Sequence, residues 1–232
     1  MEESPFGPVE NEAARLYRQL SGQSPPFISI RFYPYSSLRH TIRKREQGLE
    51  MRISDVLEKA PLPLLSAISE LLLYKLFRLE PPRSSRRLYS EYISRDEIVE
   101  RVNRVRRSRS RKSFPGPRGR HFDLQILFDD LNESFFNNEL ELEQVSWSHG
   151  ASRRRLGHFD PAFNAVVISR SLDREDVPDC VVSFVLYHEM LHAFLGETVR
   201  NGKRFKHHPR FRAAEQDFPA YTEAVRFIEE SL

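Results

Sequence analysis

His188, Glu189 and His192 stand inside an apolar run, DCVVSFVLYHEMLHAFLG, at residues 179–196. On an α-helix, residues four apart lie one turn above each other, so both imidazoles can aim a nitrogen at one point, with Glu189 beside it. Val181, Val182, Phe184, Val185, Leu186, Met190, Leu191, Phe194 and Leu195 surround the three polar residues on every side, which describes a buried helix. Burying two imidazoles and a carboxylate without partners is costly. A divalent metal held by the two histidines, with the glutamate working on its bound water, supplies those partners. The competing reading makes both histidines ordinary hydrogen-bonded core residues. The apolar flanks, and Gly196 where a helix would stop, weigh toward the metal.

His-Glu-x-x-His is the zincin pattern, and zinc–nitrogen distances of about 2.0 to 2.1 Å require histidines on one helical face. A catalytic zinc takes three protein ligands and a water, so one ligand must come from beyond Gly196. His207 and His208 are candidates, and Glu215 or Glu223 offers a carboxylate instead. Glu197 is too near in sequence to fold back. His149 and His158 sit on turn or strand segments, where histidines are usually structural.

Elements must carry these residues. Residues 1–26 are rich in Pro, Glu and Ser and are expected to be a mobile N-terminus, with a short helix over 12–20. Residues 27–103 read as an α+β region. Ile28, Ile30 and Phe32 alternate as in a strand, and Leu49, Met51 and Ile53 alternate after the Gln47-Gly48 turn, which makes a hairpin with 41–45. A helix follows Pro61 and Pro63 and runs to about Leu79, and Ser94-Arg95-Asp96-Glu97 has capping-box spacing before a basic helix. Residues 104–120 lack acidic side chains and carry Pro115, Gly116, Pro117 and Gly119, so a flexible basic linker is expected there. In residues 121–232, Leu124, Leu127, Phe128, Leu131 and Phe135 form a helical stripe ending near Asn137-Asn138. Three short runs at 142–147, 155–159 and 165–169 read as a small antiparallel sheet packed on the helix of the two histidines.

Composition limits the function classes. Hydrophobic residues make up 39% of the 232, enough for a core. The single cysteine, Cys180, excludes an intramolecular disulfide and a cysteine-based zinc ribbon, and suits a reducing, cytoplasmic setting. No secretory leader is expected, because residues 1–12 are acidic and lack an apolar stretch. The apolar segment 62–77 is broken by Pro63, Glu70 and Lys75, so no membrane span is expected. Residues 83–120 hold 13 Lys/Arg against 4 Asp/Glu, a charge of +9 where the whole chain carries +3. Such a run suits salt-dependent contact with DNA phosphates, with Arg104, Arg106, Arg107, Arg109, Arg111 and Lys112 as candidate nucleic-acid-binding residues. It equally suits a solvated linker.

The order of features also resembles a known family. Leu127-Phe128-Asp129-Asp130-Leu131-Asn132 and Phe135-Phe136 precede Val145-Ser146-Trp147-Ser148, then Leu156-Gly157-His158-Phe159, Val167-Ile168-Ser169 and Val177-Pro178. The two-histidine motif and His207-His208-Pro209-Arg210-Phe211 complete the series. Over about residues 122–218 this resembles the SprT/Spartan-like zinc metallopeptidases and their YgjP-like relatives. The resemblance implies an α+β, zincin-like domain, one zinc ion and hydrolysis of peptide bonds in protein substrates, DNA-associated ones included. In that family the third histidine lies four residues before an aromatic, which favours His207, four before Phe211, over His208 and Glu215. His208 and Tyr221 are then candidate outer-layer or substrate-facing groups. Zinc on His188, His192 and His207 would acidify its water, and Glu189 would act as general base. SprT proteins carry a cysteine-rich ribbon after the catalytic part, whereas here the extra residues precede it. The rival reading is a nucleic-acid-binding protein that keeps the zinc as a structural element. A third is an interaction module within residues 27–80.

Overall fold

The computed structural model describes residues 6–200 and 203–231. The chain divides after Ser110 into two compact units, the second starting at Arg111 and leaving out residues 201–203. Each combines helices with a three-stranded sheet, an α+β architecture. Among the described residues no helix is long and apolar enough to cross a membrane.

The first unit opens with α1 (Gly7–Ser21), longer than the helix expected from the sequence. Val9 and Ala13 are buried in its core beside Phe6, and Leu16 and Leu20 continue the stripe, so α1 packs on the unit it was expected to leave free. That corrects the expected mobility of 1–26 from Phe6 onward, while residues 1–5 lie outside the described residues. Strands β1 (Phe27–Tyr33), β2 (Thr41–Arg45) and β3 (Gly48–Ser54) form a sheet in the order β1-β3-β2. The β2–β3 hairpin is antiparallel and β1 runs parallel to β3. Ile28, Ile30, Leu49, Met51 and Ile53 face the core. Helix α2 (Leu62–Leu76) has Pro63 in its first turn, where a missing N–H costs nothing, and stops three residues short of Leu79. Helices α3 (Arg83–Ile93) and α4 (Asp96–Arg109) follow. The expected capping box is not used, because Ser94 closes α3 with its amide on Ser90 O, and Arg95 stands at the start of α4.

Arg104 to Arg109 therefore complete a helix rather than a linker, and the residues after them are tied down in the second unit. Gly116 accepts from Trp147 N (3.0 Å) and donates to Ser146 Oγ (2.9 Å), and Pro117 O accepts from Leu124 N (3.0 Å). Helix α5 (Leu124–Phe136) is capped by Asp123, whose side chain accepts from Gln125 N, and ends at Asn137 with φ 52°.

Strands β4 (Gln144–Trp147), β5 (Gly157–Asp160) and β6 (Ala165–Ile168) form a sheet in the order β4-β6-β5. It is mixed, not antiparallel as expected. The short turn after Asp160 folds β6 back on β5, and β4 joins β6 on its other side in parallel. Alternation locates strands but does not specify their pairing directions. Helix α6 (Asp179–Leu195) is the buried spine of the unit, in contact with α5, β5 and β6. Gly196 ends it at φ 64°, ψ −162°, a positive-φ conformation outside the left-handed helical region. A strand pair, β7 (Thr198–Arg200) and β8 (Lys203–Phe205), leads into α7 (Pro209–Gln216) and α8 (Tyr221–Ser231), both of which pack on α6.

Candidate metal centre

One turn of α6 sets His188 above His192, with ring centroids 4.9 Å apart. The chain leaves α6 through β7 and β8 and returns His207 to the same place. Its ring lies 5.1 Å from that of His188 and 4.9 Å from that of His192. One nitrogen from each of the three lies within 4.8 Å of the others, so the three histidines can hold a metal ion. His192 Nε2 and His207 Nε2 face each other at 3.1 Å. Two nitrogens bound to one tetrahedral zinc at about 2.05 Å stand about 3.3 Å apart, so this pair is already near the spacing a zinc ion needs.

The helix after His207 builds the floor. Phe211 is fully buried, and its ring centroid lies 5.1 Å from His188, 4.5 Å from His192 and 4.8 Å from His207. One turn further, Glu215 Oε1 lies 2.6 Å from His188 Nδ1. That bond holds the proton on Nδ1 and leaves Nε2 of His188 for the centre. The hydrogen bond to His188, opposed by burial, holds the Glu215 carboxyl below its usual range. Burial, with His188 and His207 beside it, lowers His192 to about 3, so its ring is neutral and its lone pair is free to ligate. Burial also lowers His207.

Glu189 is buried, 7% exposed, on the sheet side of α6. Its Oε2 accepts from Phe159 N on β5 at 2.9 Å. Burial raises its pKa, while His188 and the Phe159 amide act in the opposite direction. The close approach of strand to carboxylate depends on Gly157, where a Cβ would lie 2.8 Å from Glu189 Cγ and 2.9 Å from Oε1. Tyr187, next in sequence to His188, donates from its hydroxyl to Ala214 O at 2.8 Å and so ties α6 to α7.

The other candidates fall elsewhere. His208 is the N-cap of α7, its Nδ1 accepting from Phe211 N at 3.3 Å, so it positions Phe211 and not a ligand. Tyr221 stands edge-on to Phe184 at 5.6 Å, within the apolar layer between α6 and α8. His149 Nε2 bonds Ser113 Oγ at 3.0 Å, and His158 Nε2 lies 3.3 Å from Lys112 Nζ. Cys180 is half-buried on α6, its thiol pushed up by burial. Of the basic candidates, Arg109 forms a two-point pair with Asp55 (2.8 and 2.7 Å), and Lys112 binds Asp160 at 2.7 Å beside the rings of Phe114 and Phe163. Those two charges are used inside the protein. Arg104, Arg107 and Arg111 are exposed, and Arg106 is half-buried. Glu215, Phe211 and the Phe159 amide are the parts that sequence reasoning did not assign. Glu215 stood there only as a possible ligand, and a backbone N–H leaves no trace in a sequence.

Residues 124–225 match the model of the SprT-like family. The match starts with α5, ends within α8 and includes every residue of the three-histidine centre, so this segment is similar to the SprT-like family. No curated protein and no solved structure matches the chain.

Proposed function

We propose that the second unit is a zinc-dependent metallopeptidase that hydrolyses peptide bonds of protein substrates, with His188, His192 and His207 as ligands and Glu189 as general base. The observation that carries this reading is the convergence of three histidine nitrogens on the helix turn that also carries a buried carboxylate, one of whose oxygens the Phe159 amide holds. When bound there, zinc supplies Lewis acidity, polarising a carbonyl and acidifying water. The Phe159 N–H fixes Oε2 of Glu189, and the carboxylate so held would accept a proton from water and return it to the leaving amine. Glu215 keeps His188 in the tautomer that a metal requires, and Phe211 packs against all three rings, edge-on to His188 and tilted to the other two. The packing of α6 under β5 and β6 supports a zincin-like arrangement.

The rival reading, a structural zinc in a nucleic-acid-binding protein, needs a fourth protein ligand to close the site. Among the described residues the cluster holds three, and Glu215, the carboxylate beside it on α7, is engaged at Nδ1 of His188. That favours an open site and hydrolysis. Metal analysis after reconstitution, together with cleavage of an unfolded protein substrate, tests the proposal. About one zinc per chain, lost in His207→Ala, supports it, whereas a chain that takes up no divalent metal contradicts it.

A further inference from the structure

The first unit turns a charged and aromatic sheet face outward. In the register of β1, β3 and β2, Phe27, Ser29, Arg31 and Tyr33 share a face with Glu50, Arg52 and Ser54, and with Thr41, Arg43 and Arg45. The opposite face is the buried one, carrying Ile28, Ile30, Leu49, Met51 and Ile53. Four arginines thus stand against one carboxylate. Glu50 spaces three of them, pairing with Arg31 at 2.6 Å, Arg45 at 3.2 Å and Arg52 at 2.9 Å. Its own carboxyl is subject to burial but held below the usual range by those arginines. Arg43, in register with Glu50, is exposed.

Aromatic rings bracket this charge. Phe27, at one end of β1, is 70% exposed, far more than a core phenylalanine would be. At the other end Tyr33 packs on Tyr35 with ring centroids 4.6 Å apart, and Arg52 lies 4.7 Å from the Tyr33 ring. Arg39 lies 5.8 Å from the Tyr35 ring. The two ends are six residues apart, about 20 Å along a strand. Arg109 of α4 fastens the loop that carries Tyr35, donating to Tyr35 O at 3.0 Å while paired with Asp55. The platform is therefore held in place by a residue that sequence reading had assigned to direct contact.

We infer that this outward face of β1, β3 and β2 is a binding surface for single-stranded nucleic acid, with the exposed Phe27 stacking a base and Arg31, Arg43 and Arg45 meeting phosphates. A sheet face with one exposed ring, a half-buried tyrosine pair and exposed arginines matches the two demands of such a ligand, a π-face for a base and a cation for each phosphate. An acidic peptide would use the arginines but not the rings. An anionic membrane would want a larger apolar area than one exposed phenylalanine. This inference stands apart from the metal centre and holds whether or not the second unit hydrolyses peptides.

The test uses the full chain and fluorescent oligothymidylate and oligouridylate of about 15 nucleotides, read by anisotropy over a salt series. Binding is expected, weakening linearly in log affinity against log salt. Phe27→Ser is expected to lower affinity about tenfold, and Arg43→Ser to reduce the salt slope by about 0.7. Both positions are exposed, and an unchanged thermal unfolding curve and zinc content show that a loss is not misfolding. Preference between the two oligonucleotides assigns the ligand to DNA or RNA. Absence of binding at low salt, equal binding of duplex, equal displacement by polyglutamate, capture by anionic vesicles but not by oligonucleotides, or affinity unchanged in both variants would each overturn the inference.

Discussion

His188 presents two nitrogens, and which of them can meet a metal depends on a carboxylate 27 positions away in the chain. The 2.6 Å bond from Nδ1 to Glu215 makes that choice. Groups in this position tune affinity by about 10- to 100-fold without touching the metal. Glu215→Gln is accordingly expected to raise the zinc dissociation constant by about that factor, read by competition with a chromophoric chelator, and an unchanged constant would show that the pair is only structural. Gly157 sets the other critical distance. A Cβ there meets Glu189 at 2.8 Å and Ile168 Cδ1 at 3.2 Å, so Gly157→Ala must move β5 or the carboxylate. Zinc should stay while peptide hydrolysis falls about 100-fold, the usual cost of a misplaced catalytic group. The sequence made His188 and His192 legible through their four-residue spacing, while His207 was singled out from its rivals only by the resemblance to the SprT/Spartan-like family. It could not say that Glu215 would reach His188 from outside the centre, since a ligand and a ligand's partner look alike in one dimension.

At the level of elements, α7 does more than its eight residues suggest. It carries His208 as its cap, Phe211 as the floor under three imidazoles and Glu215 as the partner of His188. Phe211→Ala removes a fully buried ring, which costs about 3 to 5 kcal/mol. Urea unfolding should show that loss, and metal affinity should fall with it although Phe211 offers no ligand. Helix α6 was readable from composition alone, because a run that is apolar on every side has one plausible place. The mixed pairing of β4, β6 and β5 was not, since alternation gives which residues face the core but not strand direction. The helical course of α1 was underestimated because Pro, Glu and Ser outweighed the stripe of Val9, Ala13, Leu16 and Leu20.

Across the whole molecule, the two units respond to different solution conditions. In the first, His40 accepts from Ser54 N at Nδ1 (3.2 Å) and faces the Tyr89 hydroxyl at Nε2 (3.1 Å), and burial lowers it to about 4. A histidine with a depressed folded pKa favours the fold while neutral. Its contribution is complete above about pH 6.5, declines as pH falls and is gone below about pH 4, because the unfolded chain binds the proton first. His40→Gln should flatten the loss of stability between those values, followed by fluorescence-detected urea unfolding from pH 7 to pH 4. An equally steep loss in the variant would place the acid sensitivity elsewhere. The second unit, on the proposed function, instead answers to metal supply. The central claim, that Glu189 acts on a metal held by three histidines, is tested most directly by Glu189→Gln, assayed for zinc and for cleavage in the same preparation. The account predicts about one zinc per chain with hydrolysis reduced at least 100-fold, and full zinc with wild-type cleavage would contradict it.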